Sequence, residues 1–123
     1  MKLRIKGNTL RLRLTKSEVD YFGNTLFIEE KTSFGSNVFS YSLKVNDQEK
    51  LSASFENNTL VVNLPMVMGK EWITTNKVGV SGEMDVENGK KLYLLIEKDF
   101  KCLDETVEDQ SDNYENPLTE KKK

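Results

Sequence analysis

Met1-Lys-Leu-Arg-Ile-Lys-Gly-Asn-Thr-Leu-Arg-Leu-Arg-Leu14 is the stretch from which the fold can be read. Leu3 and Ile5, then Leu10, Leu12 and Leu14, alternate with Lys2, Arg4, Lys6, Arg11 and Arg13, the period-two pattern of strands that bury one face. Gly7-Asn8 separates the two runs, and glycine opening a two-residue loop suits a type II′ hairpin turn. With those two residues as the loop, Leu3 faces Leu12, Ile5 faces Leu10, Arg4 faces Arg11 and Lys2 faces Arg13. Apolar residues then meet only apolar residues, whereas a slip of one would turn the whole set to water.

Working outward, Thr15-Lys-Ser-Glu18 is a capping box, with the threonine side chain and the glutamate each satisfying the other's backbone amide. It predicts a short helix with Val19 and Phe22 on one face, ended by Gly23 or Asn24 in a left-handed cap. A strand from Thr25 to Glu30, a turn over Ser33 to Asn37 and a strand from Val38 to Val45 complete a β-β-α-β-β unit. The pattern then begins again. Leu51, Ala53 and Phe55 alternate, Asn57-Asn58 makes a turn, and Leu60, Val62 and Leu64 alternate on the return. An offset of 50 carries Leu10 to Leu60, Phe22 to Trp72 and Ile28 to Val78; farther on an offset of 52 pairs Tyr41 with Tyr93 and Leu43 with Leu95, with the insertion assigned to the Glu87–Lys90 turn. Pro65 opens a second helix through Ile73, since proline suits a first helical turn.

The reading is an α+β, mainly antiparallel β domain built from two halves, residues 1–46 and 47–100, around one core. Eight strands close either as a barrel or as a pair of packed sheets, with two short helices at the ends. Leu92-Tyr-Leu-Leu-Ile96 is apolar on both faces, so this strand is expected to be central or covered by a helix. Residues 1–103 make the single domain, and 104–123 form an acidic C-terminal tail. That tail holds seven acids against three lysines, a charge of −4 within a chain whose net charge is −2.

Composition narrows the chemistry. The chain has 123 residues, enough for one core without metals or disulfides. It has no histidine, which removes histidine-dependent acid–base, triad and metal mechanisms. The lone Cys102 cannot close an internal disulfide and reads as an unreactive thiol. No nucleophile elbow or phosphate-binding glycine loop is present, and Met66, Met68 and Trp72 read as core filling. The start of the chain alternates where an export signal needs a continuous apolar stretch, so the expected setting is cytoplasmic, without a membrane contact.

One surface stands out. Lys2, Arg4, Lys6, Arg11 and Arg13 share the outer face of the first hairpin, and like charges opposed across strands destabilise each other by about 0.2–1 kcal/mol per pair. In the second half the equivalent pairs are Ser54 with Val61 and Ser52 with Asn63. These five residues are the candidate site for an anionic ligand or a protein partner. The plainer reading is that they keep a sheet edge from pairing with another chain. A pI near 5.3, and no stacking aromatics on this face, count against nucleic acid as the partner. No catalytic residue, metal ligand or cofactor is assigned.

The expected function is a non-catalytic binding or interaction module. The alternative is a metal-dependent phosphate-handling enzyme, with Lys2, Arg4, Arg11 and Arg13 holding phosphate and Glu97 and Asp99 holding a divalent ion; the other candidate carboxylates are Asp104, Glu105, Glu108, Asp109 and Asp112. A further expectation is that residues between Asp104 and Tyr114 pack back on the basic hairpin, anchored by Val107 or Tyr114.

The opening residues 1–19, the central Leu51-Ser-Ala-Ser-Phe-Glu56, and Ile96-Glu-Lys-Asp-Phe-Lys-Cys-Leu-Asp104 with Glu108-Asp-Gln-Ser-Asp-Asn-Tyr-Glu-Asn-Pro117 resemble a family of short, uncharacterised bacterial proteins, mainly of the Bacteroidota. The resemblance implies no activity or ligand. It does imply that the acidic tail belongs to the protein proper.

Overall fold

The computed structural model describes residues 1–100. Cys102, the segment Asp104–Tyr114 and the carboxylates from Asp104 onward lie outside the described residues. The order is β1 (Lys2–Lys6), β2 (Thr9–Leu14), α1 (Lys16–Thr25), β3 (Phe27–Ser33), β4 (Val38–Asn46), β5 (Ser52–Glu56), β6 (Thr59–Pro65), α2 (Met66–Thr74), β7 (Gly79–Asp85) and β8 (Lys91–Lys98), with a single 3-10 turn at Glu87–Gly89.

The first hairpin takes the register its alternation dictates, from Lys2 opposite Arg13 to Lys6 opposite Thr9. Gly7 has a φ of 55°, and in the matching turn of β5–β6 both Asn57 and Asn58 have positive φ, as a type I′ turn requires. The capping box forms: the Glu18 amide donates to Thr15 Oγ1 and the Thr15 amide to Glu18 Oε1. The helix does not stop at Gly23 or Asn24. It runs to Thr25, and Leu26 takes the left-handed position with φ 61°, its amide bonded to the Phe22 carbonyl. Packing of the helix end on β3 overrides the preference for glycine there.

The strands do not close a barrel. They form two four-stranded sheets, ordered β1-β2-β8-β7 and β3-β4-β6-β5. Neither is wholly antiparallel, because the two hairpins of each sheet meet through parallel pairs, β2 with β8 and β4 with β6. Each sheet thus joins a hairpin from residues 1–46 to one from residues 47–100. β8 lies inside its sheet, as its doubly apolar sequence requires, yet no helix among the described residues covers its outer face, where Tyr93 is exposed.

Pairing also corrects the offsets. Leu10 and Leu12 lie beside Leu94 and Ile96, and Leu60 and Val62 lie beside Tyr41 and Leu43. By ladder position Tyr41 and Leu43 correspond to Leu94 and Ile96, not to Tyr93 and Leu95. Ile28 opposite Leu43 likewise matches Val80 opposite Ile96, not Val78, which is exposed. Two extra residues fall between α2 and β7 and only one in the turn before β8.

The inner faces of both sheets supply the core, with Leu12, Leu14, Leu43, Val62, Leu64, Leu94 and Ile96 all essentially buried. All four hairpin turns lie at one end. Both helices lie at the other and plug it with Phe22 and Trp72, fully buried, whose rings meet edge-on at 6.4 Å. The Trp72 indole N–H donates to the Val78 carbonyl at 3.0 Å, so the plug leaves no polar group unpaired. Truncating either ring costs about 3–5 kcal/mol by the usual core rule. No helix among the described residues is long and apolar enough to cross a membrane.

Candidate functional site

The outer face of the β1-β2-β8-β7 sheet carries the five cations. Strand alternation puts Lys2, Arg4 and Lys6 from β1 on it, with Thr9, Arg11 and Arg13 from β2, then Tyr93, Leu95 and Glu97 from β8. Parallel pairing sets Arg13 beside Glu97. The Arg13 Nη2 and Nε donate to Glu97 Oε1 at 2.8 and 3.1 Å, and Arg11 Nε lies 3.4 Å from the same oxygen. Lys2 Nζ is 3.8 Å from Asp99 Oδ2. The repulsion between facing cations is thus relieved from within the sheet at the helix end of the strip.

Toward the hairpin turn this relief ends. Arg4 and Lys6 form no ion pair among the described residues. With Arg11, Thr9 and Leu95 they line a shallow hollow of about 270 Å³. A second hollow of about 190 Å³ lies between Lys2, Arg4, Arg11 and Arg13. These hollows lie on an open sheet face, not in a lumen. Exposed Tyr93 stands beside Thr9, so one aromatic ring does border the basic face. Beyond it the sign of the charge changes: Glu83 and Asp85 of β7 flank Lys91, whose Nζ is 2.6 Å from Asp85 Oδ1 and 3.5 Å from Glu83 Oε1. The hydrogen bond from Lys91, then its charge, holds the Asp85 carboxyl below its ordinary range, and the same contact raises Lys91.

Glu97 and Asp99, the carboxylates that the enzyme alternative turns toward a divalent ion, are directed to arginine and lysine instead. No group of three or more potential metal ligands occurs among the described residues.

A second feature is absent from the sequence reading. Between the sheets, at the end without helices, lies an apolar cleft of about 320 Å³ lined by Ile5, Leu10, Phe39, Phe55, Met84 and Leu92 among others. Ile5 and Phe55, at the same step of β1 and β5, are 59% and 62% exposed although their alternation points them to the core. Alternation assigns Ile5 and Phe55 to the inner face but carries no signal for whether that end of the core is covered.

A model of a family of unknown function (DUF7009) matches residues 1–118, and so includes part of the acidic segment. No curated protein and no solved structure matches the chain.

Proposed function

We propose, on the premise that the chain belongs to this family of unknown function, that it is a non-catalytic binding module holding an acidic polypeptide segment on the basic strip of β1 and β2. One observation carries the reading: Arg4 and Lys6 border a hollow with no carboxylate of the described residues to neutralise them, while Arg11, Arg13 and Lys2 are already paired. The strip is two strands wide, about 10 Å, which suits one extended chain. Glu83 and Asp85 on the same face would repel a longer polyanion crossing the sheet, and the chain's net negative charge disfavours a nucleic-acid role. Internal duplication is part of this proposal. It is supported by the two sheet orders, which coincide when each strand is replaced by the one four places away.

The test is fluorescence anisotropy of labelled polyglutamate against the full chain. Binding at low salt is expected, weakened as salt screens the charges, and lost in the double variant Arg4→Glu and Lys6→Glu with the thermal midpoint nearly unchanged. Equal binding by the variant, or none by the parent, overturns the reading.

A further inference from the structure

The basic strip and the apolar cleft meet at one strand. β1 is an edge of its sheet, with β2 on one side and no strand of the described residues on the other. Its two faces differ sharply: Lys2, Arg4 and Lys6 point to the basic strip, while Leu3 and Ile5 point to the inner side of the sheet, where Ile5 lines the cleft with Phe39. In a hairpin closed by two residues, the pair next to the loop exchanges hydrogen bonds, and the pairs then alternate. Lys6, Arg4 and Lys2 therefore direct their backbone groups to β2. The N–H and C=O groups of Leu3 and Ile5 are turned to the open edge.

We infer that β1 is a docking edge for a partner segment in extended conformation, which adds to the sheet as a fifth strand and alternates acidic with apolar residues. The inference rests on the binding-module reading and specifies its partner. Main-chain hydrogen bonds to Leu3 and Ile5 supply sequence-independent affinity, and the side chains supply selection. Acidic residues at every second position lie beside Lys2, Arg4 and Lys6, and the intervening apolar residues fall beside Leu3, which packs on the core, and Ile5 at the cleft. A second copy of the chain does not fit this edge, because pairing β1 with β1 sets cations against cations.

The probe is an acetylated octapeptide of alternating glutamate and valine, compared with the same peptide N-methylated along one edge and with polyglutamate. The full chain is used throughout. Expected are binding of the unmodified peptide, weakening by about tenfold or more on N-methylation, and slowed amide exchange at Leu3 and Ile5 in the complex. Ile5→Pro, which removes an outward N–H without touching the ladder to β2, should weaken the octapeptide while leaving polyglutamate binding intact. If N-methylated and unmodified peptides bind alike, the strand-addition inference falls and the charge-based reading stands. If neither peptide nor polyglutamate binds, both fall. Protection of Leu3 and Ile5 amides in the protein alone would show the edge already occupied within the chain, and would overturn docking of a separate partner.

Discussion

At the scale of single residues, the sharpest difference between the two halves is at Met1. Its ammonium, part-buried, pairs with Glu18 and with Glu30 at 3.0 Å, and its carbonyl accepts from the Tyr41 hydroxyl at 2.7 Å. Fifty residues on, Leu51 is buried at the equivalent place, where a peptide bond replaces the ammonium. The positions matching Glu18 and Glu30 are there Met68 and Gly82, and a Cβ on Gly82 would touch Leu51 at 3.3 Å. Burial alone would lower the Met1 amine, but hydrogen bonds and charge from Glu18 and Glu30 outweigh it and raise the group above 8.0. Burial likewise pushes Glu18 up, and the bond from the ammonium, with that from Thr15, brings it below 4.5. The raised amine contributes stability that is complete below pH 8.0 and lost as pH climbs through its folded value; the lowered carboxyl contributes above pH 4.5 and loses it as pH falls. Tyr41, raised by burial and then by Glu30 and Glu18, adds to the alkaline loss. Glu18→Gln should cost about 1–3 kcal/mol in urea unfolding at neutral pH and flatten both limbs of the pH profile.

At the scale of elements, β8 separates what alternation can and cannot say. Its sequence is apolar at every position from Leu92 to Ile96, so period alone assigns neither face to the core. Parallel pairing with β2 decides it, turning Leu94 inward to 2% exposure and Leu95 outward to the basic strip. Leu94→Ala should destabilise the protein by about 2–5 kcal/mol in chemical unfolding, whereas Leu95→Ala should cost about 1 kcal/mol or less. Equal losses would mean that the inward and outward assignment is wrong. The end of α1 shows the same limit: Gly23 looks like a stop signal, yet it packs against α2, where an added Cβ would lie 3.0 Å from Ile73 Cγ2. Glycine is present for close approach of two helices, a use that local sequence cannot distinguish from a cap.

For the whole molecule, the interleaving of hairpins has an energetic consequence. Each half contributes one hairpin to each sheet, so a half on its own leaves two hairpins with their central edges unpaired, and an isolated hairpin is marginal in water. Residues 1–46 alone should therefore show no dispersed amide spectrum, and the full chain should unfold in one transition; a folded half would contradict the interleaved pairing. The same topology leaves one end plugged by Phe22 and Trp72 and the other open at the cleft.

Local order set much of this in advance. The registers of β1–β2 and β5–β6, the capping box, the turn residues and the inward faces of β2, β4 and β6 all follow from groups fewer than about a dozen residues apart, where a period of two or a turn's φ leaves one solution. Five cations on one hairpin face were equally legible. What only the tertiary structure decided is who stands next to them. Glu97 reaches Arg13 across 84 residues of sequence, through a parallel contact that carries the same alternation as an antiparallel one. Whether eight strands close into a barrel or stay as two sheets depends on which strand edges pair across the whole chain, and hydrophobic period is identical in either case.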